Sequence, residues 1–226
     1  MEPSLDRHYV ALGAALARGR LGDVLSPSVL ADDEQVFRAA LEHGLKMHKF
    51  KRLDERLLAR VRRVLSMLAG LGPTSLLDVG SGRGAFLWPL LDAFPDLAVT
   101  AIDVNEQRAA DLAAIGTGGL ARLSAAHMDG TALAFADGAF DGVTLLEVLE
   151  HMPDPARAAR EAVRVARRFV IASVPSKPDD NPEHIHLFDR ASLTSLFETA
   201  GARRVSVDYV PGHIVSLALA DPGVPA

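Results

Sequence analysis

The chain has 226 residues, 49% hydrophobic and 23% charged, which is typical of one large folded domain with an appendage. It has no cysteine, and this excludes disulfides, thiolate metal sites and cysteine nucleophiles. The net charge of −5 divides into +3 over residues 1–72 and −8 over residues 73–226, which disfavours a long nucleic-acid partner. No apolar run is long enough to span a bilayer, and no secretory leader pattern opens the chain. We therefore expect a cytoplasmic protein with no membrane partner.

The N-terminal third is predicted to be helical. Apolar spacing indicates a helix over residues 5–18 and a loop over 19–27. Asp32-Asp33-Glu34 supplies an N-cap and acidic first-turn residues for a second helix. A third amphipathic helix is predicted from about residue 54 to residue 71. Residues 1–72 are therefore predicted to form a helical cap.

From Ser75 onward, short apolar runs alternate with helical stretches. The predicted strands are residues 75–79, 98–102, 120–126, 141–146, 168–174, 203–209 and 214–220, and the predicted helices between them are 84–94, 106–115, 155–166 and 190–200. Alternating strands and helices predict βαβ units, with a mainly parallel sheet covered on both faces. Only Val210-Pro211-Gly212 separates the last two strands, so we expect a hairpin and an antiparallel final strand. Residues 73–226 are thus predicted to be an α/β domain with a doubly wound, seven-stranded sheet.

A glycine-rich turn directly follows the first predicted strand. Leu77-Asp78-Val79 leads into Gly80-Ser81-Gly82-Arg83-Gly84, a GxGxG spacing that departs from the GxGxxG of dinucleotide sites. Glycines allow positive φ and close approach of a ligand to the main chain. The adjacent Asp78 suits a ligand with an ammonium or sulfonium group better than one with two phosphates.

Two further acids follow the second and third strands. Asp103 stands where a carboxylate accepts hydrogen bonds from ribose hydroxyls, and Asp129 where one accepts from an exocyclic amine. Together with Asp78 they would line one ligand-binding edge. The alternative is that each acid only stabilises its own turn.

These motifs resemble those of the class I S-adenosylmethionine-dependent methyltransferases, of the methyltransferase type 11 kind. The matching segments are Leu77–Gly84, Ala101–Asp103, Met128-Asp129, Phe135–Val143 and Glu147–His151. The resemblance covers roughly residues 73–220. It implies a Rossmann-like sheet of order 3-2-1-4-5-7-6 with strand 7 antiparallel, and an N-terminal segment that folds over the cofactor as a lid.

The resemblance also implies which residues bind S-adenosylmethionine. They are Asp78, Gly80, Ser81, Gly82, Gly84, Asp103, Val104, Met128, Asp129 and Glu147. The glycine loop and Asp78 would hold the methionyl part, and Asp103 the ribose, with Asn105 assisting. Met128 and Asp129 would frame the adenine, and Glu147 would lie beside the sulfonium.

Methyl transfer to a hydroxyl requires a base or a metal, because a neutral hydroxyl is a weak nucleophile. Glu147, Glu150 and His151 have i, i+3, i+4 spacing, so one helical turn would place all three on one face. Glu147 and His151 are therefore the candidate catalytic residues.

A metal site is one interpretation of the same residues. Glu147, Glu150 and His151, with His184 or His186, are similar to the metal-binding arrangement of small-RNA 3′-terminal ribose 2′-O-methyltransferases and of some quinone-pathway O-methyltransferases. Imidazole ligands would favour Mn, Fe, Co or Zn over Mg. The alternative is that the Glu-x-x-Glu-His stretch only caps and cross-links the loop after strand four, without a metal.

The segment His43–Arg52 is rich in basic residues, including Lys46, Lys49 and Lys51. We hypothesise that it contacts an anionic acceptor; the alternative is a solvated linker. The predicted function is methyl transfer to a small molecule, at a hydroxyl oxygen. The alternatives are a metal-assisted RNA 3′-terminal ribose 2′-O-methyltransferase, which the weak basic charge disfavours, and a non-catalytic, cofactor-binding regulatory protein.

Overall fold

A computed structural model describes residues 7–45 and 58–220, and its centre is one seven-stranded sheet. The strands are β1 (Ser75–Val79), β2 (Ala98–Asp103), β3 (Leu123–His127), β4 (Phe140–Leu146), β5 (Ala166–Pro175), β6 (Arg204–Val210) and β7 (His213–Leu219). Their order is β3-β2-β1-β4-β5-β7-β6. The first five strands are parallel, and β7 is antiparallel to both β5 and β6. The Rossmann-like fold and the predicted strand order are confirmed.

Helices cover both faces of the sheet. They are α1 (Arg7–Leu21), α2 (Pro27–Leu30), α3 (Asp33–Glu42), α4 (Ala59–Leu71), α5 (Leu87–Ala93), α6 (Glu106–Thr117), α7 (Pro155–Val165) and α8 (Arg190–Thr199). The apolar core consists of two clusters, and neighbouring residues of β1 belong to different ones. Leu76 packs with α1 and α3–α6, and Leu77 packs with α7 and α8. This alternation is what a sheet buried on both faces requires.

Several helix boundaries differ from the sequence prediction, and glycines account for two of the differences. The prediction of a loop from residue 19 is wrong, because α1 continues to Leu21. A Cβ on Gly19 would lie 1.9 Å from the carbonyl oxygen of Ala114 in α6. This glycine therefore lies inside α1 and allows α1 to pack closely against α6. The helix predicted from residue 84 begins at Leu87, because Gly84 has a φ of 81°.

The N-terminal helices share a core with the sheet. Val10 and Leu16 of α1 and Phe37 of α3 are buried in the same cluster as Leu112 and Ile115 of α6. The described segments therefore form a continuous apolar core on this face of the sheet. The basic residues Lys46, Lys49 and Lys51 lie outside the described residues, and the lid stays a prediction.

Across residues 7–45 and 58–220, no helix is both long and apolar enough to cross a membrane. The parallel strands β1, β2 and β4 all end at the same edge of the sheet. Because ligands of open α/β sheets bind outside the carboxyl ends of the strands, this edge is where a site is expected.

Candidate active site

The glycine loop that follows β1 has a backbone conformation that residues with a side chain rarely adopt. Gly80, Gly82 and Gly84 have φ values of 70°, 57° and 81°. A Cβ on Gly80 would lie 2.7 Å from a methyl carbon of Val148. The loop therefore exposes main-chain atoms at the sheet edge, as close approach of a ligand requires.

Asp78 lies beneath this loop, at the end of β1, and is buried. Its carboxylate accepts hydrogen bonds from Ser81 Oγ at 2.6 Å and from Thr144 Oγ1 at 2.7 Å. Burial raises the pKa of Asp78 to about 6, although these two hydrogen bonds oppose the shift. A cation bound at the loop would therefore stabilise the ionised carboxylate.

Asp103 connects the end of β2 to the glycine loop. One carboxylate oxygen accepts from the backbone N–H of Gly82 at 2.8 Å, and the other accepts from that of Asn105, also at 2.8 Å. Asp103 is buried, so these charge-assisted hydrogen bonds fix the loop against β2.

Val104 and the two residues assigned to the adenine, Met128 and Asp129, lie in the neighbouring turns. Val104 is 72% exposed, which leaves an apolar side chain available for an aromatic ligand. Met128 is half-buried, and its backbone N–H donates to the carbonyl of Asp103 at 3.2 Å. Asp129 is exposed and accepts from the N–H and hydroxyl of Thr131 at 2.8 and 2.9 Å. Asp129 therefore stabilises its own turn, and its contact with the adenine stays a prediction.

A cavity of about 170 Å³ opens beside the glycine loop. It is lined by Arg60, Val61, Asp78, Gly80, Ser81, Gly82, Arg83, Ala85, Phe86, Leu146 and Glu147. Helix α4 thus contributes two residues to a cavity whose other walls come from β1, β4 and the loops that follow them.

Glu147 does not share a helical face with Glu150 and His151, so that expectation is wrong. It has a φ of 59°, and the 3₁₀ helix begins only at Leu149. The Glu147 carboxylate accepts from Ser173 Oγ at 2.7 Å and lies 3.0 Å from His213 Nε2. The positive φ places Glu147 outside the 3₁₀ turn, and its side chain lines the cavity.

Glu150, His151 and His184 do come together. One potential ligand atom from each lies within 4.8 Å of the other two. Glu150 is fully buried, and neither carboxylate oxygen has a hydrogen-bond partner in the part of the chain that the structure describes. Burial raises the pKa of Glu150 to about 8. An unpartnered buried carboxylate is costly unless a proton or a cation satisfies it.

Hydrogen bonds orient both imidazoles of this group. His151 Nδ1 lies 2.9 Å from the carbonyl oxygen of Glu183, and His184 Nδ1 lies 2.9 Å from Asp179 Oδ1. Each Nδ1 therefore carries the proton and donates, which leaves Nε2 as the available ligand atom. His186 is engaged elsewhere, with Nε2 2.9 Å from the carbonyl oxygen of Met152.

Residues 77–170 match the family model described as "Methyltransferase domain". These residues are similar to a methyltransferase domain, and the sheet has the Rossmann-like order of class I methyltransferases. The family match, the strand order and the glycine loop all agree with that assignment.

Among curated proteins, the chain is similar to the 27-O-demethylrifamycin SV methyltransferase of Amycolatopsis mediterranei. The two are 31% identical over 136 residues, 59% of this chain and 50% of that protein. The nocamycin O-methyltransferase of Saccharothrix syringae is 39% identical over 104 residues, 45% of this chain and 37% of that protein. The chain therefore spans at most about half the length of these relatives.

Among solved structures, an S-adenosylmethionine-dependent methyltransferase from Aquifex aeolicus superposes with a TM-score of 0.61. The match has 22% identity and covers 76% of this chain and 95% of that one. At this identity the likeness supports the fold of the methyltransferase domain.

Two residues beside the cavity escaped sequence analysis. Arg60 of α4 and His213 of β7 lie far from the motifs of the methyltransferase domain, yet both approach Glu147. The sequence pattern indicates only a solvated helix face for Arg60 and a hairpin position for His213. No local signal marks either one, because only the packing of α4 and β7 brings them to the glycine loop.

Proposed function

We propose that the protein transfers the methyl group of S-adenosylmethionine to a hydroxyl oxygen of a small molecule. The observation that carries this proposal is the glycine loop fixed between Asp78 and Asp103 in a class I methyltransferase domain. Methyl transfer is an in-line displacement on a carbon activated by positive sulfur. Orientation of the two reactants supplies much of the rate.

Each end of the cofactor has chemically suited partners. Asp78 and Glu147 present carboxylates to the ammonium and sulfonium, and Asp103 keeps lone pairs for the ribose hydroxyls. The exposed Val104 and the half-buried Met128 supply apolar contacts for the adenine. The names of the two curated relatives, which describe O-methylation, support oxygen as the accepting atom.

Without a bound metal, His151 would be the base for the acceptor hydroxyl, since its Nδ1 hydrogen bond leaves Nε2 free to accept a proton; a metal held at Nε2 would replace this role. Glu147 is engaged by Ser173 and His213, so its candidate role is electrostatic stabilisation beside the sulfonium. Transfer is tested by incubating the protein with S-adenosylmethionine carrying a tritium-labelled methyl group and a panel of phenols and polyhydroxylated small molecules. Labelled ethers support the proposal. Transfer only to amines or carbon contradicts the oxygen assignment.

Cofactor affinity is expected to fall as the pH drops below about 6, because the raised pKa of Asp78 makes it protonate there. A cationic ligand binds the ionised carboxylate more tightly than the protonated one. Protonation of this one group can therefore lower the affinity by at most tenfold per pH unit. Calorimetric titration with S-adenosylhomocysteine from pH 5 to pH 8 measures this effect.

A pKa raised by burial means that acidification relieves an unfavourable buried charge, so Asp78 itself does not promote acid unfolding in this range. Asp78→Asn should bind weakly and independently of pH. A flat wild-type profile would contradict the assignment.

We infer further that Glu150, His151 and His184 hold a divalent metal ion. The unpartnered Glu150 carboxylate and the two oriented imidazoles fit Mn, Fe, Co or Zn, whereas Mg prefers oxygen ligands alone. Asp179 and the Glu183 carbonyl fix the rings from behind, as outer partners of metal-binding histidines do. A bound ion would supply Lewis-acid polarisation of the acceptor hydroxyl. Glu147 is outside this group.

The metal inference predicts that Glu150→Gln and His184→Ala lose affinity for Co²⁺ and Mn²⁺. Outer-partner changes typically cost roughly 10–100-fold in metal affinity, so Asp179→Asn should fall in that range and the two ligand changes beyond it. Calorimetry with Mn²⁺ and visible absorption of the Co²⁺ complex provide the measurements. His186→Ala and Glu147→Gln are matched controls that should bind like the wild type. A wild-type protein that binds neither ion, or Glu150→Gln binding normally, would refute the site.

A further inference from the structure

Strand β6 lies at one end of the sheet, where β7 is its only neighbour among residues 7–45 and 58–220. It runs for seven residues, from Arg204 to Val210, and contains neither proline nor lysine. Natural proteins usually protect a free edge strand with proline, lysine, a bulge or a covering segment, because its unpaired backbone groups can pair with another chain. The free edge of β6 is therefore a candidate interface.

The backbone groups of alternate β6 residues point to this free edge. The two-residue turn Pro211-Gly212 is closed by the pair of Val210 and His213. In a two-residue hairpin the closing pair exchanges hydrogen bonds, so every second residue before Val210 also bonds to β7. The intervening residues direct their N–H and C=O groups away from β7, and they are Val205, Val207 and Tyr209. These groups are positioned to bind an added strand.

One face of β6 carries a cation and an acid that cannot reach each other. Arg204 and Asp208 are four residues apart, which is about 13 Å along a strand. Asp208 pairs with Arg63 of α4, but both hydrogen bonds go to Oδ2, so Oδ1 keeps its lone pairs. Arg204 is exposed, and its guanidinium has no partner in the part of the chain that the structure describes.

We propose that β6 pairs antiparallel with β6 of a second copy of this chain, about a two-fold axis at Ser206. This register places Arg204 of each copy directly opposite Asp208 of the other, so the same ion pair forms twice. Ser206 is small and exposed, and its two copies meet at the axis. On the α8 side, Val205 lies opposite Val207 of the second copy, beside the hydrophobic cluster to which both belong. Such an interface closes with two copies, as most homodimers do.

The charges distinguish this register from its neighbours. With the axis at Val205 or Val207, Arg204 would lie opposite Ser206 or Val210 of the second copy, and no ion pair would form. An axis at Arg204 or Asp208 would place two like charges against each other. Opposite charges directly across an antiparallel pair stabilise it, and like charges destabilise it.

The test reverses each charge separately and then combines the two variants. Arg204→Asp places Asp opposite Asp208 twice, and Asp208→Arg places Arg opposite Arg204 twice. In sedimentation velocity over a range of concentrations, the wild type should reach twice the mass of the chain. Each variant alone should raise the dissociation constant of the dimer at least about tenfold. An equimolar mixture of the two variants should dimerise again, because every charge in the mixed dimer faces an opposite one.

Arg38→Asp is the matched control, because it makes the same charge change on an exposed residue of α3, which packs toward the β3 end of the sheet through α1 and α6. It should dimerise like the wild type, and circular dichroism should show that all variants are folded. A wild type that stays monomeric would overturn the proposal. So would wild-type dimerisation of Arg204→Asp, an equal loss in Arg38→Asp, or a mixture of folded variants that stays monomeric. No cavity residue is altered, so the proposed function is tested separately.

Discussion

Asp103→Ala is expected to weaken binding of S-adenosylhomocysteine by about 100-fold. The buried carboxylate accepts hydrogen bonds from the backbone N–H groups of Gly82 and Asn105, so its removal frees the glycine loop from β2. The same change removes the proposed acceptor for the ribose hydroxyls. A hydrogen bond to a charged group is worth about 1.5–3 kcal/mol, and about 2.7 kcal/mol corresponds to a 100-fold change in affinity.

Asp96→Ala is the control for this substitution. Asp96 is exposed and precedes β2, at the edge of the sheet opposite to the glycine loop. Calorimetry should show wild-type affinity for Asp96→Ala, and circular dichroism should show that both variants are folded. Unchanged affinity in a folded Asp103→Ala variant would contradict the role of Asp103.

Gly84→Ala is expected to lower the free energy of unfolding by about 2–5 kcal/mol. The added Cβ would lie 2.0 Å from two atoms of the Trp88 indole, which is buried and donates from Nε1 to the carbonyl of Arg83 at 3.0 Å. Overpacking costs about 1–3 kcal/mol, and a side chain at positive φ adds about 1–2 kcal/mol. For a chain of this size each kcal/mol lowers Tm by about 2–4 °C, so we expect a decrease of roughly 4–20 °C.

Gly72→Ala separates the two causes. Gly72 also has a positive φ, 56°, but its Cβ would meet no atom within 4 Å. Differential scanning calorimetry should therefore show only the smaller cost of backbone strain, about 1–2 kcal/mol. Equal Tm values for Gly84→Ala and Gly72→Ala would disprove the clash with Trp88.

The fold was predictable because its signals are local. Each apolar run became a strand within three residues of its predicted bounds, and the short link at residues 210–212 specified the antiparallel β7. Asp78 and Asp103 were predictable for the same reason, since both directly end strands. Gly19 was misleading because the sequence cannot distinguish a glycine that ends a helix from one that lets two helices approach.

The acceptor side was less predictable, because contacts between distant segments determine it. Helical spacing suggested one face for Glu147, Glu150 and His151, but the positive φ of Glu147 separates it from the other two. His184 joins them because the backbone N–H groups of Ile185 and His186 donate to the carbonyl of Glu150. Sequence spacing contains no information about these pairings.

The antiparallel β7 has a consequence for how the two sides of this site can diverge. Parallel strands bring their carboxyl ends to the cofactor edge, whereas β7 brings its first residue, His213, beside Pro175 at the end of β5. The length of the β6–β7 hairpin therefore sets how far His213 reaches over the cavity. Insertions in that turn would reshape the wall next to Glu147 without altering β1, β2 or the glycine loop. The fold thus allows the wall near Glu147 to vary while the methyl donor's binding edge stays the same.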